Sequence, residues 1–148
     1  MPIARAERFS LELCRSLPDA LFVFGDNDRR VGSGPRAGQA VIRHEPNAHG
    51  IRTKRAPSME GWAFYSDRNL ATLKAQLMVD IKPVMAALTR GATVVLPSDG
   101  LGTGRAELPQ RAPRFFSLLC RTLEALERRY GTCDLPAGQA PHASAEPP

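Results

Sequence analysis

Two aspartates in this chain each follow a short apolar run and precede a glycine-rich loop. Asp26 comes after residues 21–24 and a glycine, and Asp99 comes shortly after the apolar run that ends at Leu96. A carboxylate at the end of a buried strand can act as a general base that activates water for attack on an ester or glycosidic carbon. It can equally cap its own turn through an Asx hydrogen bond, and the sequence leaves both roles open. Asp26 and Asp99 are therefore the candidate catalytic residues.

Glycines are spaced through the loop that follows each aspartate. They are Gly32, Gly34 and Gly38 in the first loop, and Gly100, Gly102 and Gly104 in the second, with Thr103 among them. Glycine allows consecutive backbone N–H groups to turn toward one anion, and a helix start after the loop favours negative charge. The second loop is neither a Walker A loop nor a dinucleotide fingerprint, because its spacing fits neither pattern. The two loops predict a phosphate- or nucleotide-binding crevice, with two unrelated tight turns as the alternative.

Several other polar residues are expected to line the same crevice. Lys54 can reach a phosphate as a point charge, and Thr53 precedes it at the end of a short extended segment. Asn27 either orients a ligand hydroxyl or tolerates a left-handed turn. The further polar lining residues predicted are Gln39 and Asn47. Residues 62–65 contain three aromatic residues and are expected to form a satellite core rather than a stacking platform for a base.

Length and composition set broad limits on the protein. At 148 residues with 43% hydrophobic and 24% charged residues, the chain is expected to form one globular domain. Its three cysteines are far apart, which argues against a disulfide framework or a zinc site and favours a reducing cytoplasm. The sequence lacks an apolar stretch long enough for a membrane span, and no cofactor, metal or membrane partner is expected. A net charge of +5 and a pI near 9.6 favour an anionic ligand.

Periodicity and turn residues predict the elements that position these residues. Apolar runs predict buried strands at 21–24 and 92–96, and a short strand at 50–53 is expected within the otherwise loop-like segment 44–61. Helices are predicted at 36–43, at 67–91 with a kink or break near Ile81 caused by Pro83, and at 111–130. Ser10 caps a short helix, or residues 9–13 form a strand instead. The domain is expected to cover residues 1–134, with a disordered tail at 135–148.

The order of these segments resembles the macro-domain superfamily. The resemblance rests on a strand followed by Asp26-Asn27 and Gly32-x-Gly34, and on a second strand followed by Gly100-x-Gly102-x-Gly104. It covers residues 21–43 and 93–126, with a long helix between them, and the segments GDN, GIRTK and DGLGTG are most similar to small bacterial and phage-type members.

The resemblance implies an α/β fold, a three-layer α/β/α sandwich with a mixed, largely parallel central sheet, that binds ADP-ribose or a related nucleotide. Some members hydrolyse ADP-ribosyl linkages and others only bind. By resemblance, Asn27 lies near the distal ribose, Gly32 and Gly34 lie against it and the diphosphate, and residues 100–104 surround the phosphates. The chain departs from the family at Pro35, which removes one amide donor from the first loop. The usual first strand and the aspartate for the adenine ring also have no clear counterpart before residue 21.

A different class of function is also open on the sequence alone. The Arg29-Arg30 pair, the basic segment 52–55 and the high pI fit a non-enzymatic module that binds nucleic acid, with an affinity that falls steeply as salt rises. A sensor that binds nucleotide without turnover is a third possibility. The sequence does not decide whether any bond is cleaved.

Overall fold

Four parallel strands form the sheet of the protein, for which the computed structural model describes residues 2–137. They are β1 (Ile3–Ala6), β2 (Leu21–Asn27), β3 (Ala48–Lys54) and β4 (Val94–Pro97). Their order across the sheet is β1-β4-β2-β3. Because β4, β2 and β3 are parallel neighbours, their carboxyl ends lie along the same edge of the sheet.

Four α-helices and three short 3₁₀ segments accompany the sheet, and the last two helices follow the final strand. The helices are α1 (Leu11–Ser16), α2 (Leu70–Thr89), α3 (Leu108–Arg111) and α4 (Pro113–Tyr130). The 3₁₀ segments span Gly38–Ile42, Gly61–Ala63 and Asp67–Asn69. Within residues 2–137, no helix is both long and apolar enough to cross a membrane.

Consecutive residues of β2 contribute to two different apolar clusters, because side chains alternate along a strand. Val23 belongs to a cluster that includes Leu77 of α2 and Leu119 of α4. Phe22 and Phe24 belong to a second cluster, together with Cys14 of α1 and Ile42 of the first 3₁₀ segment.

The chain leaves β2 and β4 toward these two different clusters. After β2 it passes through the 3₁₀ segment Gly38–Ile42, which supplies Ile42 to the second cluster. After β4 it continues into α3 and α4, which supply residues to the first cluster. Neighbouring parallel strands whose connections diverge in this way leave a crevice beyond their carboxyl ends, where ligands of α/β proteins bind.

Several expectations from the sequence are confirmed. All three predicted strands are present, and the Oγ of Ser10 accepts a hydrogen bond from Leu13 N–H at the start of α1, so the helix and not the alternative strand forms there. Phe64 and Tyr65 are buried, as expected for a satellite core, whereas Trp62 is exposed. The α-helical start predicted at 111 is also close to the observed start of α4.

Other expectations are wrong. The predicted helix at 36–43 is only a short 3₁₀ segment, so it has no helix N-terminus to offer an anion. The sheet is all-parallel and not mixed, and β1 was not predicted. The alternative of a break in α2 near Ile81 is also wrong, because the helix runs continuously through Pro83. This proline lies on the exposed side, where the carbonyl left without a partner at Val79 can be solvated.

The expected C-terminal tail lies mostly outside the described residues, which end at 137. Leu135, at its start, packs against the second cluster.

Candidate functional site

A cleft of about 710 Å³ opens at the carboxyl edge of the sheet. It is lined by the ends of β2 and β3, by the 3₁₀ segment Gly38–Ile42, and by parts of two loops that we call loop 1 (residues 28–37) and loop 2 (residues 98–107). The lining residues of these loops are Val31, Gly32, Ser33, Arg36 and Ala37 of loop 1, and Gly102, Gly104, Arg105 and Ala106 of loop 2. Pro57 and Met59 add an apolar part to the wall. The volume lies within the range of small-molecule and cofactor sites in proteins.

Gln39 joins the two sides of this cleft. Its Oε1 accepts a hydrogen bond from Gly25 N–H at 2.9 Å, and its Nε2 donates to the carbonyl of Gly100 at 3.0 Å. The end of β2 lies close to both groups, since a Cβ atom at Gly25 would be in van der Waals contact with Gln39 Oε1, at 3.5 Å, and with the amide nitrogen of Gly102, at 3.7 Å. The two glycine loops therefore converge on one cleft.

A β-bulge directs two consecutive residues of β3 into the same cleft. The register between β2 and β3 shifts at Asp26/Asn27, where Asn27 pairs with Lys54 and Thr53 is the extra residue. Bulges re-aim side chains that would otherwise alternate between faces. Thr53 and Lys54 both line the cleft as a result.

In loop 2, several backbone carbonyl groups are engaged by the protein and several N–H groups are free. The carbonyls of Asp99, Gly100, Gly102 and Gly104 accept hydrogen bonds from the Thr103 hydroxyl, Gln39, and the amides of Leu108 and Glu107 respectively. Across the part of the chain that the structure describes, the N–H groups of residues 101–106 donate no hydrogen bond to the protein. Loop 2 thus offers a run of unpaired donors beside the cleft, which is the arrangement that binds anions.

Loop 1 also combines engaged carbonyl groups with free N–H groups, and Arg43 engages two of its carbonyls. The Arg43 Nε donates to the carbonyl of Gly32 at 2.6 Å and its Nη2 to the carbonyl of Val31 at 3.1 Å. The side-chain amide of Asn27 also donates to Val31, at 2.8 Å, and its oxygen accepts from Arg29 N–H. The N–H groups of residues 31–34 donate no hydrogen bond within residues 2–137. Asn27 therefore closes its own loop while remaining at the cleft wall.

Asp26 is buried, at 5% exposure, and both of its carboxylate oxygens have partners. Oδ1 lies 2.6 Å from Arg43 Nη1 and accepts from Asn27 N–H at 2.7 Å, and Oδ2 lies 2.8 Å from Arg30 Nη1. A general base at this position would have to compete with two guanidinium groups. Asp99, the other catalytic candidate, is exposed and does not line the cleft.

A second buried carboxylate, Asp80 of α2, was missed by the sequence reasoning. It is 2% exposed and accepts hydrogen bonds from Arg30 Nη2 at 3.2 Å and from the backbone and guanidinium nitrogens of Arg52 at 2.9–3.0 Å. Asp80 thereby ties loop 1 and β3 to α2. The sequence did contain an indication that Asp80 is buried. This residue lies three residues after Leu77 and four before Val84, on the buried face of the helix.

Lys54 is a buried cation at the cleft wall, with 7% exposure. Its Nζ lies 4.6 Å from the centre of the Phe64 ring and 3.4 Å from Met59 Sδ, and it forms no ion pair with a carboxylate of the described chain. Burial lowers the pKa of Lys54, assisted by the charges of Arg105 and Arg111 and opposed by that of Glu107. Arg36 and Arg105 line the same cleft, are exposed, and were not predicted.

The structure brings most of the predicted site residues together. Those that line the cleft are Asp26, Asn27, Gly32, Gln39, Thr53, Lys54, Gly102 and Gly104. Gly34, Gly100 and Thr103 belong to the two loops without lining it. Asn47 lies elsewhere, contrary to expectation: its amide donates to the carbonyls of residues 14, 17 and 20 at 3.0–3.1 Å and so ties down the end of α1.

Comparison with known proteins places the chain in a family. Residues 4–122 match the model of a family described as "Family of unknown function (DUF7831)", and the chain belongs to this family. No curated protein matches the chain, and no solved structure matches it.

Proposed function

We propose that this member of the DUF7831 family binds a nucleotide of the ADP-ribose type, with the phosphates held between loop 1 and loop 2. The observation that carries the proposal is the polarity of the two loops. Several of their carbonyl groups accept hydrogen bonds from the protein, while the N–H groups of residues 31–34 and 101–106 have no protein acceptor in the described chain. Consecutive free amides of this kind stabilise a phosphate.

The charges around the cleft support an anionic ligand. Lys54, Arg36 and Arg105 line it and form no ion pair in the described chain. Asp26 is the one carboxylate among the lining residues of the described chain, and its charge is offset by Arg30 and Arg43. A cleft lined by one sign of charge concentrates ligands of the opposite sign.

Two exposed apolar side chains support an organic part of the ligand. Val31 of loop 1 is 47% exposed and Met59 is 58% exposed, and both line the cleft. When a planar base covers large apolar side chains in a concave site, it removes them from water, and this burial favours binding. A nucleotide supplies both such a base and the phosphates.

Binding without turnover fits the cleft better than hydrolysis does. Both oxygens of Asp26 are engaged by arginines, and Asp99 lies outside the cleft, so neither carboxylate is positioned to activate a water beside the ligand. Hydrolysis of an ADP-ribosyl linkage would require Asp26 to exchange one of its guanidinium partners for water.

The proposal includes a macro-domain-like, three-layer arrangement and a cytoplasmic location. The division of the core into two clusters that share the residues of β2 supports the layering. The free thiols of Cys14, Cys120 and Cys133 support a reducing compartment.

Nucleic-acid binding is less well supported. Of the arginines that suggested it, Arg30 and Arg52 both pair with Asp80, which offsets part of their charge. Arg29 stacks on the Trp62 ring, at 5.2 Å from its centre.

The test is calorimetric titration of the full chain with ADP-ribose, ADP and inorganic diphosphate, followed by NMR analysis of the ligand after the titration. We expect one-to-one binding of ADP-ribose, weaker binding of diphosphate, and an unaltered ligand. The variant Arg105→Ala should weaken the binding of ADP-ribose, ADP and diphosphate. Arg121→Ala, on the exposed side of α4, should leave the binding of all three unchanged. Absence of heat with all three ligands at millimolar concentration would contradict the proposal.

A further inference from the structure

Lys54 is unusual among the three lysines of this chain. Lys74 and Lys82 are exposed on α2, whereas Lys54 is 7% exposed and faces the cleft. Lysine is rarely buried unless a carboxylate pairs with it, and Lys54 forms no such pair in the described chain. Its contacts are an aromatic ring and a thioether, neither of which accepts a proton.

The surroundings of Lys54 disfavour its ammonium form. Arg111 lies 3.8 Å from the centre of the same Phe64 ring that Lys54 contacts at 4.6 Å, so two cations share one aromatic side chain. Burial is the main reason that the pKa of Lys54 is lowered, and the charges of Arg105 and Arg111 act in the same direction. An amine desolvated beside other cations is the setting in which lysine acts as a nucleophile.

We propose that Lys54 is a nucleophilic amine that forms an imine with a phosphorylated aldehyde bound in the cleft. The inference rests on the proposed function in one respect, namely that the loop amides and Arg105 bind the phosphate. The ligand class is a phosphate ester that carries a free or ring-opened aldehyde, such as the reducing end of a sugar phosphate.

The chemistry requires no further reactant. The neutral Nζ attacks the carbonyl carbon, a C–N bond forms, and the carbonyl oxygen takes up the proton that the nitrogen loses, which gives a carbinolamine. Loss of the hydroxyl group as water, with the second nitrogen proton, leaves a C=N double bond between Lys54 and the ligand. The balance is one amine and one aldehyde converted into one imine and one water. Addition of water reverses the reaction and releases the aldehyde.

The cleft supplies the conditions that this reaction needs. The phosphate has its own donors in loop 2, so that the carbonyl end of the ligand is left for the amine. Arg105 of loop 2 and Lys54 of β3 line the same cleft, from different elements. The carboxylate of Glu107 raises the pKa of Lys54 through its charge. It pairs with Arg111 at 3.0 Å and has no direct contact with the amine that would hold it in its charged form.

The experiment uses pyridoxal 5′-phosphate, an aromatic phosphorylated aldehyde, followed by borohydride reduction and peptide mass spectrometry of the full chain near neutral pH. The two exposed lysines are internal controls. We expect Lys54 to be modified at least about tenfold faster than Lys74 or Lys82, because desolvation leaves more of its amine neutral and the cleft holds the phosphate of the probe beside it. Equal or slower modification of Lys54 would overturn the inference.

Two further arms separate this inference from the proposed function. Pyridoxal, which lacks the phosphate, should lose most of the preference for Lys54, and inorganic diphosphate should protect Lys54 from the phosphorylated probe. If diphosphate binds calorimetrically while Lys54 shows no preference, the imine is overturned and anion binding stands. If pyridoxal modifies Lys54 as fast as its phosphate does, the requirement for a phosphorylated aldehyde is overturned. The variant Lys54→Arg should form no borohydride-stable adduct at position 54, with its melting temperature measured to confirm that it is folded.

Discussion

The side chain of Gln39 donates a hydrogen bond from Nε2 to the carbonyl oxygen of Gly100 at 3.0 Å, across 61 residues of sequence. Its Oε1 is held at the same time by the N–H of Gly25 at 2.9 Å. One amide therefore bridges the end of β2 and loop 2, in addition to the pairing of β2 with β4. No other side chain of the described residues forms a hydrogen bond to the backbone of both segments, so the side-chain support of the cleft at this point rests on Gln39.

Replacing Gln39 by Glu should weaken ligand binding. The carboxylate can still accept from Gly25 N–H, but it loses the donor to Gly100 and places a negative charge against a carbonyl oxygen and beside the phosphate site. Loss of one hydrogen bond and the added repulsion predict about 1–3 kcal/mol of lost binding free energy for ADP-ribose, measured by calorimetry. Gln110→Glu, on an exposed position of α3, is the matched control. Unchanged affinity of the Gln39 variant would show that the bridge does not set the cleft.

Gly102 should be intolerant of any side chain. Its φ is +77°, and a Cβ atom there would lie 2.3 Å from Leu108 Cδ1, at the start of α3. Gly102→Ala should lower the free energy of unfolding by about 1–3 kcal/mol and displace loop 2, because backbone strain and a core clash combine.

Gly104→Ala is the control for this change, since Gly104 has no positive φ and a Cβ atom there would have no heavy atom within 4 Å beyond its chain neighbours. Urea denaturation of both variants distinguishes the two positions. Equal stability of the two variants would contradict the tight packing of loop 2 against α3.

Asp26 and Arg43 should be energetically coupled. The two side chains are 3% and 8% exposed, their atoms approach to 2.6 Å, and Arg43 in turn holds the carbonyls of loop 1. A double-mutant cycle with Asp26→Asn and Arg43→Gln should give a coupling free energy of about 1–3 kcal/mol in unfolding experiments. Asp99→Asn combined with Arg43→Gln should be additive, because Asp99 is remote from that pair. Additivity of Asp26 and Arg43 would restore Asp26 as a free carboxylate and a candidate base.

Binding of an anion should be linked to proton uptake by Lys54. Burial lowers the pKa of this lysine in the free protein, so its ammonium form is lost at a lower pH than in the unfolded chain. The second phosphate group of ADP-ribose, which a sugar phosphate held on loop 2 lacks, favours the ammonium form and raises the pKa again, so protons are taken up when ADP-ribose binds between the two pKa values. Affinity for ADP-ribose should therefore fall as pH rises through the pKa of the free protein.

Calorimetry at about pH 9 in two buffers of different ionisation enthalpy measures this uptake. The variant Lys54→Arg should abolish the difference between the buffers. The sign for stability also follows: a lysine with a lowered folded-state pKa costs folding free energy at low pH, and this cost falls as pH rises from the folded-state pKa to the ordinary pKa of the unfolded chain, above which it is gone. Identical heats in the two buffers for the unmodified protein would contradict an anion beside Lys54.

The parts of the fold that could be predicted are those with a strong local signal. The apolar run 21–24 and the helical repeat of α2 identified their elements, because a doubly buried strand and a helix face leave simple patterns. β1 escaped prediction because its four residues, Ile3–Ala6, include an arginine, and only pairing with β4 makes them a strand. The segment 36–43 has the composition of a helix, but Gly38 at φ +62° and the short connection to β3 allow only a 3₁₀ turn.

The two glycine loops of the candidate site could be predicted from the sequence, but the ion pairs of Asp26 could not. Glycine spacing located both loops, since that spacing is local. The partners of Asp26 were not foreseeable, because Arg30 and Arg43 reach it only after loop 1 folds back on β2. Asn47 was misplaced for the same reason, since the carbonyl groups that hold it belong to the end of α1.

The central claim is that the two glycine loops form one anion-binding cleft, and an NMR titration tests it most directly. Amide spectra of the full chain are recorded while ADP-ribose is added, with Gln39→Glu as the comparison. We predict that the amide chemical shifts of residues 31–34 and 101–106 change together, with a single dissociation constant. The amide chemical shifts on the exposed face of α2 should not change. Shifts confined to one loop, or no shift in either loop at millimolar ligand, would contradict the claim.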